Sequence, residues 1–96
     1  MSEFRLAPAA EEDLEGIWLY SYREWGLEQA NQYVDAMTLA FAEMAQAPES
    51  FPACNHIRHS YRRRHLGRHV VYFQVTSYGI AIIRILHDAM DAQRHL

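Results

Sequence analysis

Two stretches of helical periodicity, separated by a single glycine, most constrain how this chain can fold. Apolar residues recur every three or four positions over residues 14–25 and again over residues 30–45, which is typical of amphipathic helices. Gly26 can end the first helix in a left-handed conformation, and Pro48 stops the second. Two helices joined this closely form an antiparallel hairpin, whose shared apolar face needs a cover from the rest of the chain.

Three segments rich in branched and aromatic residues can supply that cover. They are separated by the tight turns Gly67-Arg68 and Ser77-Tyr78-Gly79, so we expect an antiparallel three-stranded meander. A loop at residues 48–56 precedes them. The predicted strands are Ile57 to Leu66, His69 to Thr76 and Ile80 to His87.

A short strand is predicted before the helices, from Glu3 to Leu6. Pro8 suits the first turn of the first helix, whereas Ala7 is a poor N-cap and costs about 0.5–2 kcal/mol relative to serine. The order strand, helix, helix, strand, strand, strand indicates an α+β fold, with the hairpin packed on one face of a small sheet. We expect residues 1–96 to form one domain.

The composition predicts a cytoplasmic protein. No apolar run approaches the roughly 18 residues that a membrane-spanning helix needs, and the N-terminus does not resemble a secretion signal. The single cysteine, Cys54, cannot form an internal disulfide, which suits a reducing compartment.

Charge is divided between the two halves of the chain. Residues 1–50 carry ten acids against two arginines, a balance of −8, and residues 51–96 carry seven arginines against two aspartates, a balance of +5. All nine basic residues are arginine, the cation best suited to ion pairs at interfaces. The division predicts a partner for the C-terminal half, or an acidic helical face beside a basic sheet.

The sequence YRRRHLGRHVVYF concentrates this positive charge. On a strand, Arg62 and Arg64 point to one face and Arg63 and His65 to the other, so some of these arginines face the core side unless the strand lies at an edge. They are either solvated, edge-protecting charges or contacts for a charged partner. The negative net charge of the whole chain disfavours nonspecific DNA binding.

Histidines raise two further possibilities, a metal site and acid/base chemistry. The spacing of Cys54, His56, His59, His65 and His69 lacks the compact ligand pairs of zinc sites, so we expect no metal. His87, which ends the last strand near Arg84 and Asp88, could transfer protons, although a histidine that only forms hydrogen bonds is the more ordinary interpretation.

The segments PAAEEDLEGIW, YRR…GRHVVYF and RILH…MD…RHL, in this order over nearly the whole chain, resemble the ParE toxins of the RelE/ParE superfamily. The resemblance implies a toxin that inhibits DNA gyrase by protein binding, needs no cofactor, stabilises plasmids, and is neutralised by a ParD-like antitoxin. It implies no catalysis and no sequence-specific DNA binding. The residues predicted to bind partners are Arg62, Arg63, Arg64, Arg68, Arg84, His87 and Arg94.

The superfamily's RelE branch implies an alternative, ribosome-dependent mRNA cleavage. Arg62 and Arg64 would then bind phosphate and His87 would transfer protons, but Val70 stands where that branch has a central arginine. Arg64 also departs from the ParE pattern, which usually has an aromatic residue there, so its orientation is an open question.

Overall fold

A helical hairpin and a four-stranded sheet make up most of residues 2–96, the part of the chain that the computed structural model describes. The expected order of a strand, two helices and three strands is confirmed. The elements are β1 (Glu3–Leu6), α1 (Pro8–Trp25), α2 (Leu27–Gln46), a 3-10 turn (Pro48–Ser50), β2 (Arg62–Leu66), β3 (His69–Thr76), β4 (Gly79–His87) and α3 (Ala92–His95).

Gly26 alone joins the two long helices. Its φ is 92°, a value that favours glycine, and its N–H donates to the carbonyl oxygen of Tyr22 at 2.9 Å. Its ψ of 176° differs from the left-handed helical conformation that the sequence predicted, because α2 begins at the very next residue and the chain must extend there before turning back. Ala7, as expected, makes no side-chain cap at the start of α1.

The strands lie in the order β1-β4-β3-β2. β2, β3 and β4 form the expected antiparallel meander, and β1 joins β4 in parallel, with Glu3 opposite Gly79. β2 is therefore an edge strand. Because β1 ends at Leu6 opposite Ile82, no strand among residues 2–96 flanks the second half of β4, from Ile83 to His87, on that side.

Both faces of the sheet are covered. The hairpin side holds the main core, where Phe41 and Met44 of α2 pack on Val71, Phe73 and other residues of the sheet. The opposite side carries a smaller cluster whose buried members are Cys54, Tyr72 and Leu86. Ile57, Tyr61 and two residues of the C-terminal segment, Ala92 and Leu96, pack against this cluster.

The strand expected from Ile57 to Leu66 was too long, since β2 starts only at Arg62. The N–H groups of Ile57 and Arg58 both donate to the Cys54 carbonyl oxygen, which folds this segment into turns. Asn55 stabilises the same loop by accepting a hydrogen bond from the Ser60 N–H at 3.0 Å. Ile57 therefore packs its apolar side chain against the small cluster, although it does not lie in a strand.

The short helix α3 was not anticipated from the sequence. Asp91 caps it by accepting a hydrogen bond from the Gln93 N–H at 3.1 Å. The Arg58 guanidinium bonds the carbonyl oxygen of Leu96 and so holds the end of the chain on the sheet. A helix of 4 residues is too short to leave a periodic signal.

Candidate functional site

An open groove of about 1040 Å³ lies between α1 and the end of the sheet where the β2–β3 turn and the end of β4 meet. Ile17 and Ile85 form its floor. Tyr20 and Trp25 contribute from the helix side, and Met90 from the loop after β4. A second concavity, of about 470 Å³, is lined by Phe51, Arg63 and other residues near β2.

Aromatic side chains form the helix wall of the groove. The exposed fractions of Tyr20 and Trp25 are 61% and 62%, and their rings meet edge to face at 6.0 Å. Tyr20 lines the groove and is exposed, so the hairpin leaves most of its side chain uncovered. Large exposed aromatic rings beside a concave surface are typical of sites where proteins bind one another.

The opposite wall is polar and centred on two histidines. Tyr33 of α2 and His69 of β3 share a hydrogen bond of 2.8 Å between Oη and Nδ1, and the His69 and His87 rings meet edge to face at 5.6 Å. Burial, and secondarily the neighbouring His87, lowers the pKa of His69. Burial also raises the pKa of Tyr33. The ring of His69 is therefore held neutral, and so is the phenol of Tyr33.

The tautomer of His87 follows from its backbone neighbour. The Ala89 N–H donates to His87 Nδ1 at 3.1 Å, so the neutral ring carries its proton on Nε2. Asp88 lies between two histidines, with Oδ1 3.3 Å from His87 Nδ1 and Oδ2 3.5 Å from His65 Nε2. In this tautomer, the His87 ring has a hydrogen-bond donor at Nε2.

The arginine run of β2 divides between the two faces of the sheet. Arg62 and Arg64 pair across the ladder with Phe73 and Val71, which places them on the hairpin side. Arg62 donates to the carbonyl oxygen of Phe51 at 2.7 Å. Both of these arginines are thus occupied within the protein, and Arg63 lies on the other face.

Arg64 has the orientation that the sequence left open. Its guanidinium reaches Glu43 of α2 at 2.9 Å and lies 5.0 Å from the centre of the Phe51 ring. It also lies 3.4 Å from the carbonyl oxygen of Ala40, at the limit of a hydrogen bond. Arg64 therefore lies at the edge of the sheet but bonds inward to the hairpin.

Arg84 is likewise bound to its own protein. It makes two hydrogen bonds with the Asp13 carboxylate, at 2.7 and 2.9 Å, and one with the carbonyl oxygen of His95 at 3.1 Å. The bond to Asp13 raises the pKa of Arg84. Asp13 also accepts the Ile85 N–H at 2.9 Å, which satisfies the edge of β4 that β1 leaves uncovered.

The structure brings only two of the seven predicted partner-binding residues, Arg68 and His87, into the groove. Arg94 lies on α3, 3.9 Å from Asp91. Within residues 2–96, the side chains of Arg63 and Arg68 have no hydrogen-bond acceptor or ion-pair partner. The sequence did not predict Tyr20, Trp25 or Tyr33 as site residues, and it suggested His69 only as a possible metal ligand. Trp25 falls at the helical spacing of the apolar residues of α1, which is typical of a core position and gives no sign of a site.

Three other features were considered along residues 2–96: a metal site, a reactive cysteine and a membrane-spanning helix. Nowhere in residues 2–96 do three or more His, Cys, Asp or Glu side chains come together in a way that could hold a metal ion. Burial raises the pKa of the Cys54 thiol, which disfavours the reactive thiolate. None of the helices in this part of the chain is long and apolar enough to cross a membrane.

Comparison with known proteins gives one consistent result. Residues 4–92 match the family model of the ParE toxin of the type II toxin–antitoxin system parDE. Toxin ParE1 of Mycobacterium tuberculosis (strain H37Rv) is 40% identical over 96 residues, covering 99% of this chain and 98% of the relative. Toxin ParE1 of Caulobacter vibrioides is 38% identical over 96 residues, covering 100% and 99%.

A solved structure has the same fold. A chain of the chromosomal ParDE toxin–antitoxin system from P. aeruginosa superposes with a TM-score of 0.78 at 20% sequence identity, covering 91% of this chain and 96% of that one. Together with the match over residues 4–92, these relatives identify the protein's class. The chain belongs to the ParE toxin family of type II toxin–antitoxin systems.

Proposed function

We propose that this toxin inhibits DNA gyrase in the cytoplasm by binding to it, and that a ParD-like antitoxin neutralises it. The groove between α1 and the sheet end is the surface that engages protein partners. The observation that carries this proposal is the composition of the groove, where Tyr20, Trp25 and Met90 stand beside the exposed Arg68. Aromatic residues, methionine and arginine are enriched at the centres of protein interfaces.

The positions of the candidate catalytic residues argue against mRNA cleavage. Arg62 and Arg64 bond to groups of their own protein, and they lie on β2, two strands away from His87 on β4. Neutral His87 has its one ring acceptor occupied by the Ala89 N–H, so it presents no lone pair to a substrate hydroxyl. The three residues thus do not converge on one point, as phosphodiester cleavage would require.

A gyrase supercoiling assay tests the proposal. Purified, antitoxin-free toxin is expected to block supercoiling of relaxed plasmid at a modest molar excess. If gyrase still supercoils the plasmid fully at a large excess of folded toxin, the proposal that the toxin inhibits gyrase is wrong. A parallel assay with translating ribosomes is expected to leave the mRNA intact, whereas cleavage that His87→Ala abolishes would establish the ribonuclease function instead.

Gly16 offers a way to fill the groove without disturbing the core. It lines the groove, and a Cβ built on it meets no atom within 4 Å. Gly16→Leu should weaken gyrase inhibition about tenfold or more, while the gain in helix propensity, up to about 1 kcal/mol, should maintain folding. The matched control is Ala36→Leu, an exposed position on α2 outside the groove. If Gly16→Leu inhibits as well as the control, gyrase does not bind through the groove.

A further inference from the structure

The thioether of Met90 is the oxidisable group in the lining of the groove. Met90 lies in the turn that follows β4, where its N–H donates to the carbonyl oxygen of His87 at 2.9 Å. Its exposed fraction is 41%, so a small oxidant reaches it without any movement of the chain. Access of the oxidant to the sulfur decides which methionines of a folded protein become sulfoxides.

The other sulfur atoms of residues 2–96 are shielded. The chain has four methionines and one cysteine. Met37 and Met44 of α2 belong to the main core, with exposed fractions of 2% and 0%. Cys54 is buried, and burial raises the pKa of its thiol, so the thiolate that reacts with peroxides is scarce. Met1 lies outside the described residues. Among residues 2–96, Met90 is therefore the sulfur-containing residue open to solvent.

Oxidation of Met90 would change the surface of the groove and not the fold. Met90 stands with Tyr20 and Trp25 in the apolar part of the groove lining, and it belongs to neither apolar cluster of the sheet. A sulfoxide carries a polar oxygen that binds water. A partner that covers Met90 with an apolar surface would have to remove that water without replacing its hydrogen bond, which disfavours binding.

We propose that Met90 is a redox modification site, and that its conversion to the sulfoxide by a peroxide weakens the inhibition of gyrase. The inference rests on the proposed binding of gyrase through the groove, and it adds a means of regulating that binding. It makes the toxin less active under oxidising conditions and restores its activity when the sulfoxide is reduced.

The chemistry needs only a peroxide and, for its reversal, a dithiol. A lone pair of the Met90 sulfur forms the S–O bond as the O–O bond of hydrogen peroxide breaks. The transferred oxygen gives up its proton to the departing hydroxide, which leaves as water. The sulfur is thus oxidised by two electrons and the peroxide is reduced by two. Methionine sulfoxide reductases return both electrons from a dithiol, which becomes a disulfide as the oxygen leaves as water.

Peptide mapping by mass spectrometry tests the site without gyrase. Folded toxin is treated with hydrogen peroxide, catalase stops the reaction, and the oxidised peptides are quantified over time. We expect Met90 to be oxidised at least about tenfold faster than Met37 or Met44. The same three methionines should react at similar rates in urea-unfolded toxin, and the peptide that contains Met1 is measured separately. Equal rates for Met90 and Met44 in the folded toxin would overturn the assignment of the site.

The supercoiling assay tests the consequence, with each protein compared before and after peroxide treatment. Oxidised wild type should need about fivefold or more toxin for half-maximal inhibition. Reductases for both sulfoxide epimers, with dithiothreitol, should restore the original value. Met90→Leu has no sulfur at this position, so its inhibition should be the same before and after treatment. Met44→Leu, a core substitution of similar volume, should remain as sensitive to peroxide as wild type.

The possible failures of this experiment are distinguishable. The inference is wrong if oxidised wild type inhibits as strongly as untreated toxin, if treatment weakens Met90→Leu as well, or if reduction does not restore inhibition. Untreated toxin that leaves supercoiling intact would contradict the gyrase proposal and, with it, the regulation. Circular dichroism of each treated sample should match the untreated sample, and unfolding of the oxidised toxin would refute an effect confined to the groove.

Discussion

Asp13 connects three elements through a single carboxylate. It bonds Arg84 twice and accepts the Ile85 N–H, and Arg84 in turn reaches the carbonyl oxygen of His95 in α3. The exposed fractions of the Arg84 and Asp13 side chains are only 23% and 14%, so water replaces these bonds poorly. One residue of α1 therefore holds the free edge of β4 and, indirectly, the C-terminal helix.

Replacing Asp13 should destabilise the toxin much more than replacing an exposed acid. Asp13→Ala leaves Arg84 and the Ile85 N–H without their acceptor, at a cost of about 1–3 kcal/mol in the free energy of unfolding. Urea denaturation measures this. The comparison is Glu3→Ala, which removes only an exposed pair with Arg5 and should leave the unfolding midpoint nearly unchanged. Equal midpoints for the two variants would contradict the proposed role of Asp13.

His69 should make the stability of the toxin depend on pH. Because burial lowers its pKa, the unfolded chain takes up this proton first as pH falls. The stabilising contribution is thus complete above the ordinary histidine pKa of about 6.5 and is lost progressively below it. In urea denaturation between about pH 8 and pH 5.5, His69→Gln should show a shallower loss of stability than wild type. His59→Gln should follow wild type, and an identical slope for all three proteins would refute the assignment.

At the scale of elements, the attachment of β1 depends on a close backbone approach. Gly79 has φ of 139°, and a Cβ placed on it would lie 2.0 Å from the carbonyl oxygen of Glu3. This close approach is what places β1 beside β4 in parallel. No side chain other than hydrogen fits between these two strands at their first paired position.

Gly79→Ala should therefore displace β1 from the sheet. The expected loss of stability exceeds about 2 kcal/mol, since the backbone is strained for any L-residue and the methyl group overlaps main-chain atoms. Gly16→Ala is the matched control; it should stabilise α1 by about 0.5–1 kcal/mol, because that Cβ meets open space. Hydrogen exchange should show the loss of protection concentrated in residues 3–7. Unchanged protection there would show that the sheet accommodates the methyl group.

The elements with strong periodicity could be predicted from the sequence, and the short irregular ones could not. Both long helices and the strand from His69 to Thr76 were expected within a few residues of their observed bounds. The segment before Arg62 was wrongly predicted as a strand because it contains the apolar residues Ile57 and Tyr61. These side chains pack against the small cluster, although their backbone forms turns and not a strand. Four-residue α3 has no periodic signal, and the parallel pairing of β1 is a long-range contact that local patterns do not encode.

For the molecule as a whole, the division of charge predicted that the C-terminal half carries most of the arginines available to a partner, but it did not predict which arginines bond within the protein. Alternation along β2 correctly separated Arg62 and Arg64 from Arg63. The same pattern could not reveal that Glu43 and the Phe51 carbonyl would occupy the first two. The groove is formed by α1, α2, β3 and β4 together, so its aromatic wall emerges only when those elements are packed.

The free cations should accelerate association with an acidic partner. Arg68 lines the groove without an internal acceptor among residues 2–96, so its charge acts at long range before contact is made. In stopped-flow mixing with the antitoxin at about 50 mM salt, Arg68→Glu should slow association about 3–10-fold, and the difference should largely vanish near 0.5 M salt. Arg23→Glu reverses one charge on the already acidic hairpin, outside the groove lining, and should have a smaller effect. Equal slowing by the two variants would mean that only net charge matters, whereas a specific loss for Arg68→Glu identifies the groove as the place where the partner arrives.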